Sequence, residues 1–364
     1  MRRAWLISLI TIMLLVLPGA SIVPKTTIAH ADDVYGQAQV TGQVTVQATQ
    51  PTVSFAFYSD SSYQTQTTKF TPQTPVYMKI SVSGDNPLEE ATITVQLFAD
   101  TDNSRVGTPP STTSPETYVT FTISYDSTNG QWVLQTDTGG STTWSIQLDP
   151  NQNQPDPTSN SGDFYVVITF GKTAREANTG DQAPFADWDV IVTATIGSGD
   201  LAATGTASGY GYTVYFYGEI HASANTISFG TLKAGESSQI QQVDGNTADH
   251  FTVTVIANGY YDLLATSDAT WSDNSGHSIA LVTSNPGNGQ FSLQVDDQLD
   301  TNGNLAQPVY VTTDPTTASP FVDNAQPTTE SGATTNVYML ITLGHDIYTG
   351  TYQGTITIHV VDGE

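Results

Sequence analysis

Apolar and polar residues alternate along most of this chain. Clear examples are the runs 76–82, 91–97 and 188–196, in which every second residue is apolar. Side chains on a strand alternate between two faces, so each run predicts a strand with one buried and one wetted face. Asn129 and Gly130 lie between two such runs and suit the positive φ angles of a hairpin turn. No segment sustains the spacing of an amphipathic helix, so the pattern predicts an all-β protein.

Turn residues recur about every 8–12 residues, a spacing typical of Greek-key β-sandwiches. Small residues between Gly197 and Gly209 interrupt the alternation near the middle of the chain. We therefore predict two tandem antiparallel β-sandwich domains, an N-terminal one over residues 32–205 and a C-terminal one over residues 206–364.

The first 31 residues have the features of a secretory signal peptide. Arg2 and Arg3 precede an apolar run over residues 4–17, and residues 29–31 read Ala-His-Ala. A positive start, a short apolar stretch and a small-residue site are typical of a cleaved signal. The run is shorter than the ~20 residues of a membrane-spanning helix. We expect cleavage after Ala31 and an exported mature protein, although the arginine pair also fits twin-arginine export.

Basic residues are scarce. The chain has 9 Lys+Arg against 35 Asp+Glu, a net charge of −26, and only 12% charged residues, where ~25% is usual. Binding to nucleic acid depends on Lys and Arg, so neither nucleic acid nor an anionic membrane surface is an expected partner. We expect the uncharged polar surface to keep the protein soluble in acid. With 0 cysteines, stability must come from hydrophobic cores without disulfides.

Three segments resemble exported prokaryotic cell-surface proteins that have tandem immunoglobulin-like, pilin- or adhesin-like β-sandwiches. They are residues 70–80 (FTPQTPVYMKI), 227–236 (ISFGTLKAGE) and 350–358 (GTYQGTITI). The resemblance implies an immunoglobulin-like subtype for both sandwiches and a structural or adhesive role. Such motifs specify strand edges and turns, so they carry over no catalytic residue.

One loop has the oxygen-rich spacing of a calcium site. Asp297, Asp300, Asn302 and Asn304 offer the hard oxygen ligands that Ca²⁺ prefers. The match to a calcium-binding loop is incomplete, because Gly303 stands at the fourth loop position where such loops have glycine at the sixth. The alternative is a polar hairpin loop that has an Asn-Gly turn. Calcium is the only cofactor for which the sequence offers a candidate.

No residue pattern predicts an enzyme. The histidines of the mature chain are not paired at zinc-ligand spacing, and no nucleophile motif occurs. These histidines are His221, His250, His277, His345 and His359.

We therefore predict a secreted structural or adhesive cell-surface component, such as a coat, matrix or filament subunit. Its expected partners are further copies of itself or other cell-surface proteins, with no membrane insertion after cleavage. Assembly could proceed by β-strand addition, in which residues 32–50 pair with a neighbour's sheet. The alternative for that segment is the first strand of its own domain. The alternative function is an extracellular module that binds polysaccharide through exposed aromatic rings, for which Trp132, Trp144, Trp271 and Tyr348 are the candidates. Of these, Trp144 is expected in the core instead, as is Trp188.

Overall fold

The computed structural model describes most of the chain after the predicted signal peptide. The described residues are 49–179, 183–199, 202–236, 242–243 and 249–363. The predicted signal peptide, residues 1–31, and residues 32–48 of the N-terminal segment lie outside them. Within the described ranges the chain forms strands and two short 3₁₀ helices, Leu88–Glu90 and Pro315–Thr317, with no α-helix. The all-β prediction is therefore confirmed, while the immunoglobulin-like subtype stays a prediction.

The first ten strands build the N-terminal part of the structure. They are β1 (Thr52–Tyr58), β2 (Lys69–Phe70), β3 (Pro75–Ser83), β4 (Ala91–Asp100), β5 (Tyr118–Asp126), β6 (Gln131–Asp137), β7 (Ser145–Leu148), β8 (Ser161–Thr169), β9 (Asp187–Ile196) and β10 (Ala203–Val214). One sheet has the order β1-β3-β8-β7 and the other β2-β10-β9-β4-β5-β6. The neighbours are antiparallel except for β2 and β10, which run parallel.

The alternating apolar residues of both sheets meet in one hydrophobic core. Met78 and Ile80 of β3 belong to the same buried cluster as Ile93 of β4 and Val192 of β9. These four side chains are completely buried. The two sheets therefore pack as a sandwich, as their period-two sequences predict.

β10 runs through residues 205 and 206, between which the sequence predicts the boundary of the two domains. Residue 205 lies inside this strand, and Val214 at its end is still buried in the first core. The small residues here allow close packing: a Cβ on Gly205 would lie 2.0 Å from the carbonyl oxygen of Pro51. Gly205 is therefore needed because any side chain there would clash with Pro51. The chain leaves the first core after Val214 and then leads to the second core.

The remaining twelve strands build the C-terminal part. They are β11 (Gly218–Ala222), β12 (Ile227–Ser228), β13 (Gln242–Val243), β14 (Phe251–Ala257), β15 (Tyr261–Ser267), β16 (Thr270–Ser272), β17 (Ser278–Leu281), β18 (Gln290–Asp296), β19 (Val309–Tyr310), β20 (Val322–Ala325), β21 (Ala333–Leu343) and β22 (Ile356–Asp362). The larger sheet has the order β11-β14-β21-β18-β17-β16, with β19 also paired to β18, and a second sheet has the order β20-β15-β22.

A second hydrophobic core lies between these sheets. Val253 of β14, Leu293 of β18 and Val337 of β21 pack in one cluster with Leu263 of β15. All four side chains are completely buried. The parallel pairing of β17 with β18 is the exception to the antiparallel arrangement in this part.

We predict that a substitution on β4 lowers the free energy of unfolding much more at a buried position than at the adjacent exposed position. Ile93→Ala should lower the free energy of unfolding by about 2–5 kcal/mol, because it leaves a cavity in a completely buried position. Thr92→Ala, at the adjacent exposed position, should cost less than about 1 kcal/mol. Urea unfolding of both variants would measure this, and equal losses would contradict the assignment of the two faces.

Candidate functional site

The predicted calcium loop closes on itself. The Asp300 carboxylate accepts hydrogen bonds from the backbone amides of Asn302 and Asn304, each at 2.8 Å, and the Asp300 amide donates to the Asn304 carbonyl at 2.7 Å. Gly303 has a φ of 81° and makes the turn. The loop amides lower the pKa of Asp300, whereas burial and the neighbouring Asp296 raise the pKa of Asp297.

This geometry is that of a polar hairpin loop. Within the part of the chain that the structure describes, no three His, Asp or Glu side chains form a group that could hold a metal ion. Calcium binding at Asp297, Asp300, Asn302 and Asn304 stays a prediction. One of the two side-chain oxygens of Asp300 accepts both loop amides and so closes the loop.

The predicted aromatic candidates divide into packed tryptophans and one exposed tyrosine. Trp144 and Trp271 are buried, with indole N–H groups bonded to the Pro115 carbonyl at 2.8 Å and the Ser267 hydroxyl at 3.0 Å. Trp132 is half-buried, and its edge contacts Phe164. These three rings serve packing. Tyr348 is 68% exposed.

Tyr348 is held in place by a small polar assembly. Its ring stacks on the ring of His277, with 4.4 Å between centroids and 17° between planes. The Asp273 carboxylate contacts His277 twice. One oxygen lies 2.9 Å from His277 Nδ1, and the other accepts from the His277 backbone amide at 2.8 Å. The Tyr352 hydroxyl donates to the Tyr348 carbonyl at 3.0 Å. We call these four residues the tyrosine platform; its exposed ring is oriented before any ligand arrives.

The second feature, which sequence reasoning missed, is a polar joint between the two cores. We define the joint as residues 141–143, 171–177, 215–219, 257–259 and 328–330. At its centre the completely buried Asn258 side chain donates to the carbonyls of Ala174 at 2.8 Å and Tyr215 at 3.0 Å, and accepts from the Tyr217 amide at 2.6 Å. In the sequence, Asn258-Gly259 looks like an ordinary turn.

Glu330 makes a second set of contacts across the joint. Its carboxylate accepts hydrogen bonds from the hydroxyls of Ser141 and Thr143 and from the Thr142 amide. Burial acts to raise the pKa of Glu330, but these hydrogen bonds outweigh it and the pKa is lowered. The carboxylate is therefore the form that the joint stabilises.

Charged side chains complete the joint. The Arg175 guanidinium donates to the Thr328 carbonyl at 2.8 Å, and its own carbonyl accepts from the buried Trp188 indole at 2.8 Å. Lys172 pairs with Glu219 at 2.6 Å. Residues from both sandwiches thus share hydrogen bonds through polar groups, of which Asn258 and Thr328 are buried. The described residues from Thr49 onward belong to one compact unit.

Comparisons with known proteins give little beyond this geometry. No protein-family model matches the chain, and no curated protein matches it. The chain is similar to a solved structure described as "Chaperone-tip adhesin complex is vital for synergistic activation of CFA/I fimbriae biogenesis", at 10% identity over 74% of this chain and 84% of that chain. The TM-score is 0.20, which carries no argument about function. In the described ranges no helix has the length and apolarity to cross a membrane.

We predict that Asn258→Ala weakens the joint strongly. It would remove the partner of the buried Ala174 carbonyl and of the partly buried Tyr215 carbonyl and Tyr217 amide, so the free energy of unfolding should fall by about 2–4 kcal/mol. Asn129→Ala, which removes an exposed amide bonded to Asp126, should change it by less than about 0.5 kcal/mol. Calorimetry of both variants would test this, and a loss at Asn258 no larger than at Asn129 would contradict it.

Proposed function

We propose that this chain is an exported structural or adhesive component of the cell surface, such as a coat, matrix or filament subunit. The observation that carries the proposal is the joint centred on Asn258. A subunit that transmits load or keeps a lattice regular must hold its domains in a fixed arrangement, and buried, satisfied polar contacts specify one arrangement. The signal-like N-terminus and the largely uncharged polar composition support an external location.

β6 is the proposed receiving edge for strand addition. It pairs with β5, and in the described part of the chain its other edge has no strand partner. By contrast, the end of β1 is covered by its own chain, because the Thr67 amide donates to the Phe57 carbonyl at 2.9 Å. An open edge with unpaired backbone groups is a template for another strand.

The proposed donor is residues 40–46 of a second copy. This segment alternates over the same length as β6, with Val40, Val44 and Val46 on one side. On the receiving strand, Trp132 and Leu134 are half-buried against the first core. Valines placed beside them would extend that apolar surface, and main-chain hydrogen bonds would supply affinity.

We predict that mature protein, residues 32–364, forms filaments, sheets or discrete oligomers. Negative-stain electron microscopy and size-exclusion chromatography, with and without calcium, would show them. Replacing Val40, Val44 and Val46 together by Ser should abolish assembly and leave a folded monomer, because the donor segment loses its apolar side.

The matched control changes the other side of the same segment. Replacing Thr41, Gln43 and Thr45 together by Ser should leave assembly intact, because these side chains would point away from the receiving core. Wild-type protein that stays monomeric under all conditions would refute self-assembly. Assembly that survives the valine substitutions would refute this donor segment while leaving a structural role standing.

The second candidate is a module that binds polysaccharide, and the tyrosine platform favours it. A flat exposed ring at Tyr348, oriented by His277, can stack on the apolar face of a sugar. It loses little conformational freedom on binding, because the His277–Asp273 contacts already hold the stack.

We predict for this candidate that the protein is retained on insoluble cellulose or chitin and that Tyr348→Ala releases it. Tyr210 is 51% exposed but has no stacking partner among the described aromatic contacts, so Tyr210→Ala is the matched control and should retain binding. Wild-type protein that elutes from both polymers, or equal loss in both variants, would refute the platform as the binding surface.

A further inference from the structure

Two aspartates are buried side by side on β9. Asp187 is 2% exposed and Asp189 is completely buried. Trp188 between them points into the first core, so both carboxyl groups lie on the other face of the sheet. The backbone amide of Gly211, in a β10 bulge, donates to Asp187 at 2.6 Å, and the amide of Gly107, in the loop between β4 and β5, donates to Asp189 at 2.5 Å.

The second oxygen of each carboxyl group has no donor. Asp187 Oδ1 and Asp189 Oδ1 are both buried without a hydrogen-bond partner from the described residues. The two side chains leave the same face of β9 two residues apart, so these oxygens belong to neighbouring buried carboxyl groups. Two ionised carboxylates offer only acceptors, and a bond between them requires a proton on one. A buried pair without that proton would hold two uncompensated negative charges.

The surrounding groups add negative charge. Asp100 stands opposite Asp187 in the register of β4 with β9, and a Cβ on Gly107 would lie 2.6 Å from its carboxylate. Asp102 acts on Asp187 as well, and Tyr212 of β10 interacts with Asp189.

Arg105 is the cation of the loop between β4 and β5, but its side chain is 81% exposed and it pairs with Asp102 at 3.1 Å. The charges outside the pair that raise its pKa values, those of Asp100 and Asp102, are both negative.

We propose that Asp187 and Asp189 share one proton and that this proton holds the loop over residues 101–117 against the sheet. The pair then carries one negative charge, which the two glycine amides and the shared hydrogen bond satisfy. The loop contacts the joint at its far end, where the Glu116 carbonyl accepts from the Arg175 amide at 2.8 Å. Loss of the proton would leave two negative charges buried side by side, and water can reach them only if the loop that covers them at Gly107 opens.

The pKa values give the direction of the pH dependence. Burial raises the pKa of Asp189 to about 7, with Asp187 and Asp100 adding to it, and burial also raises the pKa of Asp187. The unfolded value is about 3.9. A group whose pKa is higher in the folded state stabilises the protein in acid, and this contribution is lost as the pH rises through about 7.

The test compares the pH dependence of stability in three proteins. Wild-type protein, treated with a chelator, should lose several degrees of melting temperature between about pH 5 and pH 8. Asp189→Asn keeps the shape and supplies a permanent donor to Asp187, so its curve should be flatter and its melting temperature at pH 8 higher than that of wild type. The control is Asp126, which is half-buried at the end of β5 and has a lowered pKa. Asp126→Asn should follow wild type over this range.

NMR of wild-type protein provides a readout that does not depend on any variant folding. With ¹³C-labelled aspartate, one or two carboxyl groups should titrate near neutral pH, and the amide shifts of Gly107 and Gly211 should follow the same transition. Aspartate resonances that all titrate below about pH 5 would overturn the proposal. A melting temperature at pH 8 that calcium raises in wild type but not in Asp189→Asn would also overturn it, because the pair would then hold a cation.

Discussion

The side-chain amide of Asn258 is the contact on which the arrangement of the molecule depends. It joins the segment before β9, the connection after β10 and the end of β14 through one donor group and one acceptor oxygen. Its partners are three backbone groups, of which the Ala174 carbonyl is bonded in a fully buried contact and the other two in partly buried ones. Because the amide nitrogen and oxygen must face these three groups at the same time, the contact favours one arrangement of the two hydrophobic cores.

Around this contact the chain uses hydrogen bonds where many proteins use ion pairs. Glu330 is held by two hydroxyl groups and an amide, and Asp300 is held by its own loop. With 9 basic residues against 35 acidic ones, most carboxylates cannot find a cation. Backbone amides and the hydroxyls of Ser and Thr take that role, which explains how so acidic a chain can keep a compact structure.

The buried pair Asp187 and Asp189 follows from the same shortage of cations. Asp187 Oδ1 and Asp189 Oδ1 are buried without a hydrogen-bond donor. Protonation is the remaining way to satisfy such a carboxyl group. The proposed proton and the proposed surface role are separate: the first concerns one loop of the first sandwich, and the second concerns the open edge of β6. The tyrosine platform lies on the second sandwich and depends on neither.

The sequence by itself determined the all-β class and which face of β3, β4 and β9 is buried, because period-two alternation acts locally. On β9 it correctly placed Trp188 and Val192 in the core. It could not show that the opposite face, with Asp187 and Asp189, is also buried, because the cover comes from a distant loop and a bulge. The core position expected for Trp144 is also confirmed, whereas tertiary structure decided that Trp271 packs internally while Tyr348 stays exposed. Such outcomes depend on which segments meet in space, and no local pattern encodes those contacts.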